Sequence, residues 1–358
     1  MVATAPAILV ELDDPPDGLL ELAGKRLRVL RNAGSSALLA AQRKALGVQH
    51  LSLRPDAALH SLDRLPPFRL VSLDVRGCFG LIPALPEICT SALKQLRAGW
   101  YSEADPSGRG AMGQDLMLFR ETSPNDLISA IAERAPNLEV LEFMGTVTCR
   151  EHQLNLTGLQ RCPCLNTLRL PFSPAIDLAE VASLTLRDLG LRGCTEVGNV
   201  QALGQLDEVN LSCVPMRPED AIHVARGARV IDLCYCEHLT RTVLPPLVRA
   251  AGSQVTMFGG GGWGLNDADL TLIAQEWPSL TSLGIGSAKC TATGLQALHG
   301  LQKLTRLSAH RLTGLREEAV TALLRALPLE AIDLDDSSWE DGPSEELTAI
   351  LASKVYHY

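Results

Sequence analysis

One short pattern recurs along the 358-residue chain and limits what it can fold into: an apolar residue, two variable ones, an apolar residue, one variable, another apolar. Clear copies begin at Val48, Leu70, Leu138, Leu165, Leu186, Leu206, Ala228, Leu280, Leu304 and Leu329, as in Leu186-x-x-Leu189-x-Leu191. Weaker copies start at Leu27 and Leu93, and a distorted one surrounds Val255 to Phe258. Successive starts lie 20 to 27 residues apart, except for two doubled steps, 93 to 138 and 228 to 280. Alternation within each copy puts the apolar residues on one face of a short strand and the variable ones on the other. A strand this short cannot bury its apolar face alone, so neighbouring repeats must stack and share one core. Aromatic residues make up only 4% of the chain, so that core is aliphatic.

The second half of several repeats reads as helix. Residues 125–134, 218–225 and 317–324 carry apolar residues at helical spacing with a polar or acidic first turn, which suits the helix dipole. Strand on one side and helix on the other in every turn bends such a stack into a horseshoe.

A 20–29-residue period carrying L-x-x-L-x-L resembles the leucine-rich repeat. Cys78, Cys194 and Cys236 each stand three residues after the last apolar strand position. The strings Leu189-Gly190-Leu191-Arg192-Gly193-Cys194 and Ile231-Asp232-Leu233-Cys234-Tyr235-Cys236 resemble the cysteine-containing subclass, found in the repeat domains of F-box/LRR proteins. The resemblance implies an α/β leucine-rich-repeat solenoid, with parallel strands on a concave face and helices or irregular segments on the convex face. It divides the chain into an N-terminal cap with a weak first repeat (1–45), repeats over 46–343 interrupted by an insertion at 99–122, and a C-terminal cap (344–358). It also implies a protein-protein interaction scaffold or adaptor. Two alternatives are a substrate-recognition subunit of a ubiquitin-ligase-type complex and a GTPase-activating or other regulatory activity. Leu85-Pro86-Glu87-Ile88-Cys89 is superficially like the start of an F-box but sits inside the repeat register, and no F-box is recognisable.

Strand alternation names the residues expected on the concave face. Those proposed for partner contact are Arg54, Arg76, Arg97, Glu142, Arg169, Arg192, Asp232, Phe258 and His310. The arginines cluster in the first two-thirds, and their planar forks suit carboxylates, so a protein partner with an acidic surface is expected. Trp100 and Tyr101, in the insertion, are candidate anchors.

The net charge of −9 argues against a nucleic-acid partner and against a polybasic membrane patch. No apolar run approaches a bilayer span and no leader is recognisable, so a cytoplasmic or nuclear location is expected. The run Gly259 to Gly264 contains a formal G-x-G-x-x-G, but its strand keeps the repeat spacing, so it reads as a strand-exit loop rather than a dinucleotide site. Cys162/Cys164 and Cys234/Cys236 have one-residue spacing, unlike zinc ligands, and read as structural thiols. The eight histidines are scattered. The expectation is a chain with no enzyme chemistry, cofactor or metal.

Overall fold

A computed structural model describes residues 48–53, 70–99, 123–144, 153–339 and 342–354, together with the backbone of strands at 8–11 and 27–33. The chain divides into two compact units, residues 1–186 and 187–358. Of the insertion expected at 99–122, Gly99 instead ends a strand and pairs with Met144, while residues 100–122, including Trp100 and Tyr101, lie outside the described residues, as does Arg54.

In the first unit the strands are β1 (Ile8–Glu11), β2 (Leu27–Ala33), β3 (His50–Leu53), β4 (Ser72–Asp74), β5 (Gln95–Gly99), β6 (Val140–Met144), β7 (Gln153–Leu154), β8 (Thr167–Arg169) and β9 (Ala175–Asp177). β1 to β6 and then β8 pair in sequence order, all in parallel. Leu51, Leu73, Leu96, Leu141 and Leu168 stand opposite one another across this ladder. All five are buried. β7 and β9 form a separate short parallel pair. β1 adds a strand within the expected N-terminal cap; its pattern, Ala7-x-x-Val10-x-Leu12, is another copy of the repeat.

The second unit contains β10 (Asp188–Gly190), β11 (Val197–Gly198), β12 (Glu208–Asn210), β13 (Val230–Asp232), β14 (Met257–Gly259), β15 (Ser282–Gly284), β16 (Arg306–Ser308) and β17 (Ala331–Asp333). β10 and β12 to β17 again pair in parallel and in order. Leu189, Val209, Ile231, Phe258, Leu283, Leu307 and Ile332 are in register along it.

The ladder continues past the strand ends. Tyr235 donates its N–H to Gly261 O, Gly262 to Gly286 O, Ser287 to His310 O, and Arg311 to Asp335 O, at 2.7 to 2.9 Å. This position, two residues beyond the last inward residue of a repeat, has left-handed backbone each time: Gly193, Cys213, Tyr235, Gly262, Ser287, Arg311 and Asp336. Glycine adopts it without strain and the others do so at a cost. The next residue turns inward. Cys78, Cys194 and Cys236 fill that place and are all buried, with the Cys236 thiol donating to Leu211 O at 3.1 Å. The turn cysteines are therefore core residues.

The distorted repeat corrects one expectation. Alternation puts Phe258 on the exposed face; in the structure it is fully buried and occupies the central core column, opposite Ile231 and Leu283. The repeat here is Val255-x-x-Phe258-x-Gly260, so Met257 and Gly259 face outward. A volume exchange explains the pattern: a Cβ at Gly260 would lie 2.7 Å from Phe258 Cζ. Glycine at the third inward position makes room for a ring at the second. Trp263, in the turn-cysteine place, meets that ring edge-on at 5.8 Å, and Trp277 lies 4.9 Å from it. Both indole N–H groups are satisfied, by Leu233 O and Gly252 O.

The expected helices form at Pro124–Arg134, Pro218–Ala225 and Glu317–Ala326, and others at Leu244–Ala251, Asp267–Glu276 and Glu345–Ala352. Side chains start three of them: Ser123 and Ser344 each accept a backbone N–H, and Asn266 with Asp269 makes a reciprocal capping box. Among the described residues, no helix is long and apolar enough to cross a membrane.

Candidate functional site

In the first unit the outward residues of β4, β5 and β6 converge on one carboxylate. Arg76 pairs with Asp74 at 2.9 Å and reaches Glu142 Oε1 at 3.4 Å, while Arg97 Nε lies 3.5 Å from Glu142 Oε2. Glu142 is only 7% exposed, beneath the two guanidinium groups. Strand alternation alone presents Arg76, Arg97 and Glu142 as separate contacts for a partner. The structure brings them together, with the arginine charges already answered within the strand face. Glu142 is therefore a buried network residue, which corrects its assignment to an open surface. Arg169 on β8 is exposed, and so is Arg192 beyond β10 of the second unit.

In the second unit the outward positions run Asp232 on β13, Gly259 on β14, Gly284 on β15, Ser308 on β16 and Asp333 on β17. Two adjacent strands thus carry no outward side chain at the middle of the row. Neighbours lean into the space on one side: a Cβ at Gly259 would lie 2.5 Å from Asp232 Oδ1 and 2.8 Å from Cys234 Sγ. At Gly284 a Cβ would meet nothing nearer than 3.5 Å. Gly259 is itself buried under these side chains, so the low platform of accessible backbone lies at Gly284 on β15.

Acidic and amide side chains along the row also hold the strand ends. Asp232 Oδ1 accepts the N–H of Cys234, Asn210 that of Ser212, and Asp333 that of Asp335, at 2.9 to 3.1 Å. Such Asx turns fix the carboxylates and amides in place. Cys234 accepts the Gly261 N–H at 3.3 Å; burial and the nearby Asp232 carboxylate push its thiol well above its ordinary pKa.

At the edge of the platform Tyr235 crosses to His310. Its ring lies over Gly262, where a Cβ would fall 2.7 Å from Tyr235 Cδ1, and its hydroxyl reaches His310 Nε2 at 2.5 Å. The two rings are stacked with centroids 6.0 Å apart. Gly286 lies beneath the contact; a Cβ there would be 2.5 Å from His310 Cε1 and 2.8 Å from Tyr235 Oη. His310 Nδ1 faces Ser308 Oγ at 3.2 Å and Asp333 Oδ2 at 3.4 Å, and Ser308 Oγ is 3.1 Å from the same carboxylate oxygen. Tyr235 is 38% exposed, and the His310 side chain 24%.

Asp232 and His310 thus belong to this platform, as expected from alternation. Tyr235 was missed because it follows the strand rather than lying in it. Its signal is an aromatic residue in the left-handed slot that Gly193 and Gly262 occupy in other repeats. Among the described residues no group of three or more His, Cys, Asp or Glu side chains could hold a metal ion.

No protein-family model matches the chain, and no curated protein sequence does. Solved structures do. The yeast Rad7 and Elc1 complex matches with a TM-score of 0.55 at 16% identity, over 92% of this chain and 82% of that one. An internalin from Listeria monocytogenes matches with a TM-score of 0.49 at 12% identity, over 92% and 89%. The leucine-rich-repeat-containing protein LegL7 of Legionella pneumophila gives 0.37 at 14% identity, over 80% and 92%. Repeat period, parallel register and the Rad7-complex likeness agree on one fold, the leucine-rich-repeat solenoid.

Proposed function

We propose that this leucine-rich-repeat solenoid is a protein-interaction scaffold that holds its partner on the exposed strand face, centred on the platform of the second unit. The observation that carries the reading is the missing side chain at Gly284, where a Cβ would meet nothing nearer than 3.5 Å, flanked by fixed polar groups and the half-exposed Tyr235. Glycine on a strand lets another backbone approach closely. Aromatic residues at the rim of such a site supply contact area at low entropic cost. Arg169 and Arg192 are proposed as further contacts, to acidic groups of the partner; Arg54, Trp100 and Tyr101 remain proposals of the same kind.

The test is affinity capture from a native extract with the parent chain and a Gly284→Gln variant, which raises a side chain on the platform without a backbone clash. Proteins held by the parent should be lost from the variant. Retention of the same set by both would remove the platform from the account. Assembly with a ubiquitin-ligase core is a narrower proposal, supported by the turn cysteines shared with F-box/LRR repeats. Co-purification of a ligase core that depends on residues 1–45 would support it, and its absence would leave the general scaffold reading.

A further inference from the structure

The contacts of His310 form a chain of hydrogen bonds with one direction. Asp333, a carboxylate, can only accept, so Ser308 Oγ donates to Asp333 Oδ2. Ser308 Oγ then accepts from His310 Nδ1–H, which leaves Nε2 as the acceptor of the Tyr235 hydroxyl proton. Asp333 is itself held by the Asp335 N–H at 2.9 Å. A phenol donating to an oriented imidazole, backed by a hydroxyl and a carboxylate, is a nucleophile paired with its general base. The ring is constrained by its left-handed backbone, by Gly262 beneath it and by stacking on His310. Nothing in the interaction role requires this arrangement, since a tyrosine anchor needs no base.

We propose that Tyr235 is an activated nucleophile that takes up an acyl group from an activated acyl ester. In the step, Tyr235 Oη bonds to the acyl carbon while its proton passes to His310 Nε2. The bond from the acyl carbon to the leaving oxygen breaks with its electron pair, and the leaving alkoxide or phenolate takes that proton from His310. The Ser308 and Asp333 partners stabilise the transient imidazolium. The product is a tyrosyl ester that lacks the hydroxyl donor to His310 and stands on the rim of the platform, so acylation would alter the surface proposed to bind the partner. The nucleophile proposal stands independently of that binding.

The experiment uses 4-nitrophenyl acetate with the full chain and follows acetylation of each tyrosine by peptide mass spectrometry. N-acetyltyrosinamide and the chain unfolded in denaturant serve as references. Tyr235 should be acetylated on the order of 100-fold faster than the references, the lower range of general-base assistance. His310→Gln keeps an acceptor for the hydroxyl but removes the base, and should bring Tyr235 down to the reference rate. Ser308→Ala cuts the chain behind His310 and should give an intermediate rate. Melting curves of both variants establish that they are folded. Reaction of Tyr235 at the reference rate in the parent, or an unchanged rate in folded His310→Gln, would overturn the proposal.

Discussion

The strand faces of the two units follow the same alternation and carry opposite solutions on their outer side. In the first unit Asp74, Arg76, Arg97 and Glu142 close on one another, and a carboxylate is buried beneath two guanidinium groups. In the second, side chains are withdrawn at Gly259 and Gly284, and the polar groups around them are pinned by turns or linked through His310. A row of charged residues on a repeat surface is therefore not equivalent to a row of available contacts. The first row is a structural network, and the second leaves backbone open beside an exposed aromatic ring.

This contrast rests first on the two units sharing the same core register. Leu96→Ala in the first and Leu283→Ala in the second should each cost about 2–5 kcal/mol, because both side chains are almost fully buried and leave a cavity. Denaturant melting reads the effect; a variant as stable as its parent would break the register in that unit. Next, Glu142→Ala should cost about 1–3 kcal/mol, since it leaves two guanidinium groups facing each other without their shared acceptor. Tyr235→Phe removes one hydrogen bond at an exposed site and should cost under about 1 kcal/mol. Equal losses from these two changes would erase the distinction between a structural network and a surface site. Smallest of all, Gly284→Gln should stay within about 0.5 kcal/mol of the parent, as its new Cβ meets only ordinary contacts.

Thiol chemistry sharpens the reading of the turns. Burial pushes Cys89 and Cys236 up to about 12, and Cys162 and Cys290 up to about 11. The thiolate is the reacting form. Iodoacetamide at neutral pH should therefore label the exposed Cys164 and Cys213 while these four remain unmodified until the protein is unfolded. Rapid labelling of native Cys236 would mean that the turn is not packed as described.

Much of the fold was legible because period-two alternation repeated in register leaves few alternatives. Leu189, Ile231 and Leu283 could be placed from spacing alone. Phe258 could not, because two aromatic rings and Gly260 exchange volume across the core, and alternation counts positions without weighing size. The network around Glu142 escaped for another reason: Arg76 and Glu142 are 66 residues apart in sequence and meet only once β4, β5 and β6 pair in order. Tyr235 escaped because strand alternation ends before the turn that carries it.

Hydroxyl-radical footprinting of the chain with a captured partner tests the central claim most directly. Oxidation of Tyr235, Met257 and His310 should fall several-fold on binding, while Ile222, Leu272 and Leu324 on the helices Pro218–Ala225, Asp267–Glu276 and Glu317–Ala326 react as before. Protection of the three helical residues, with Tyr235, Met257 and His310 unchanged, would place the partner on the helices and contradict the account.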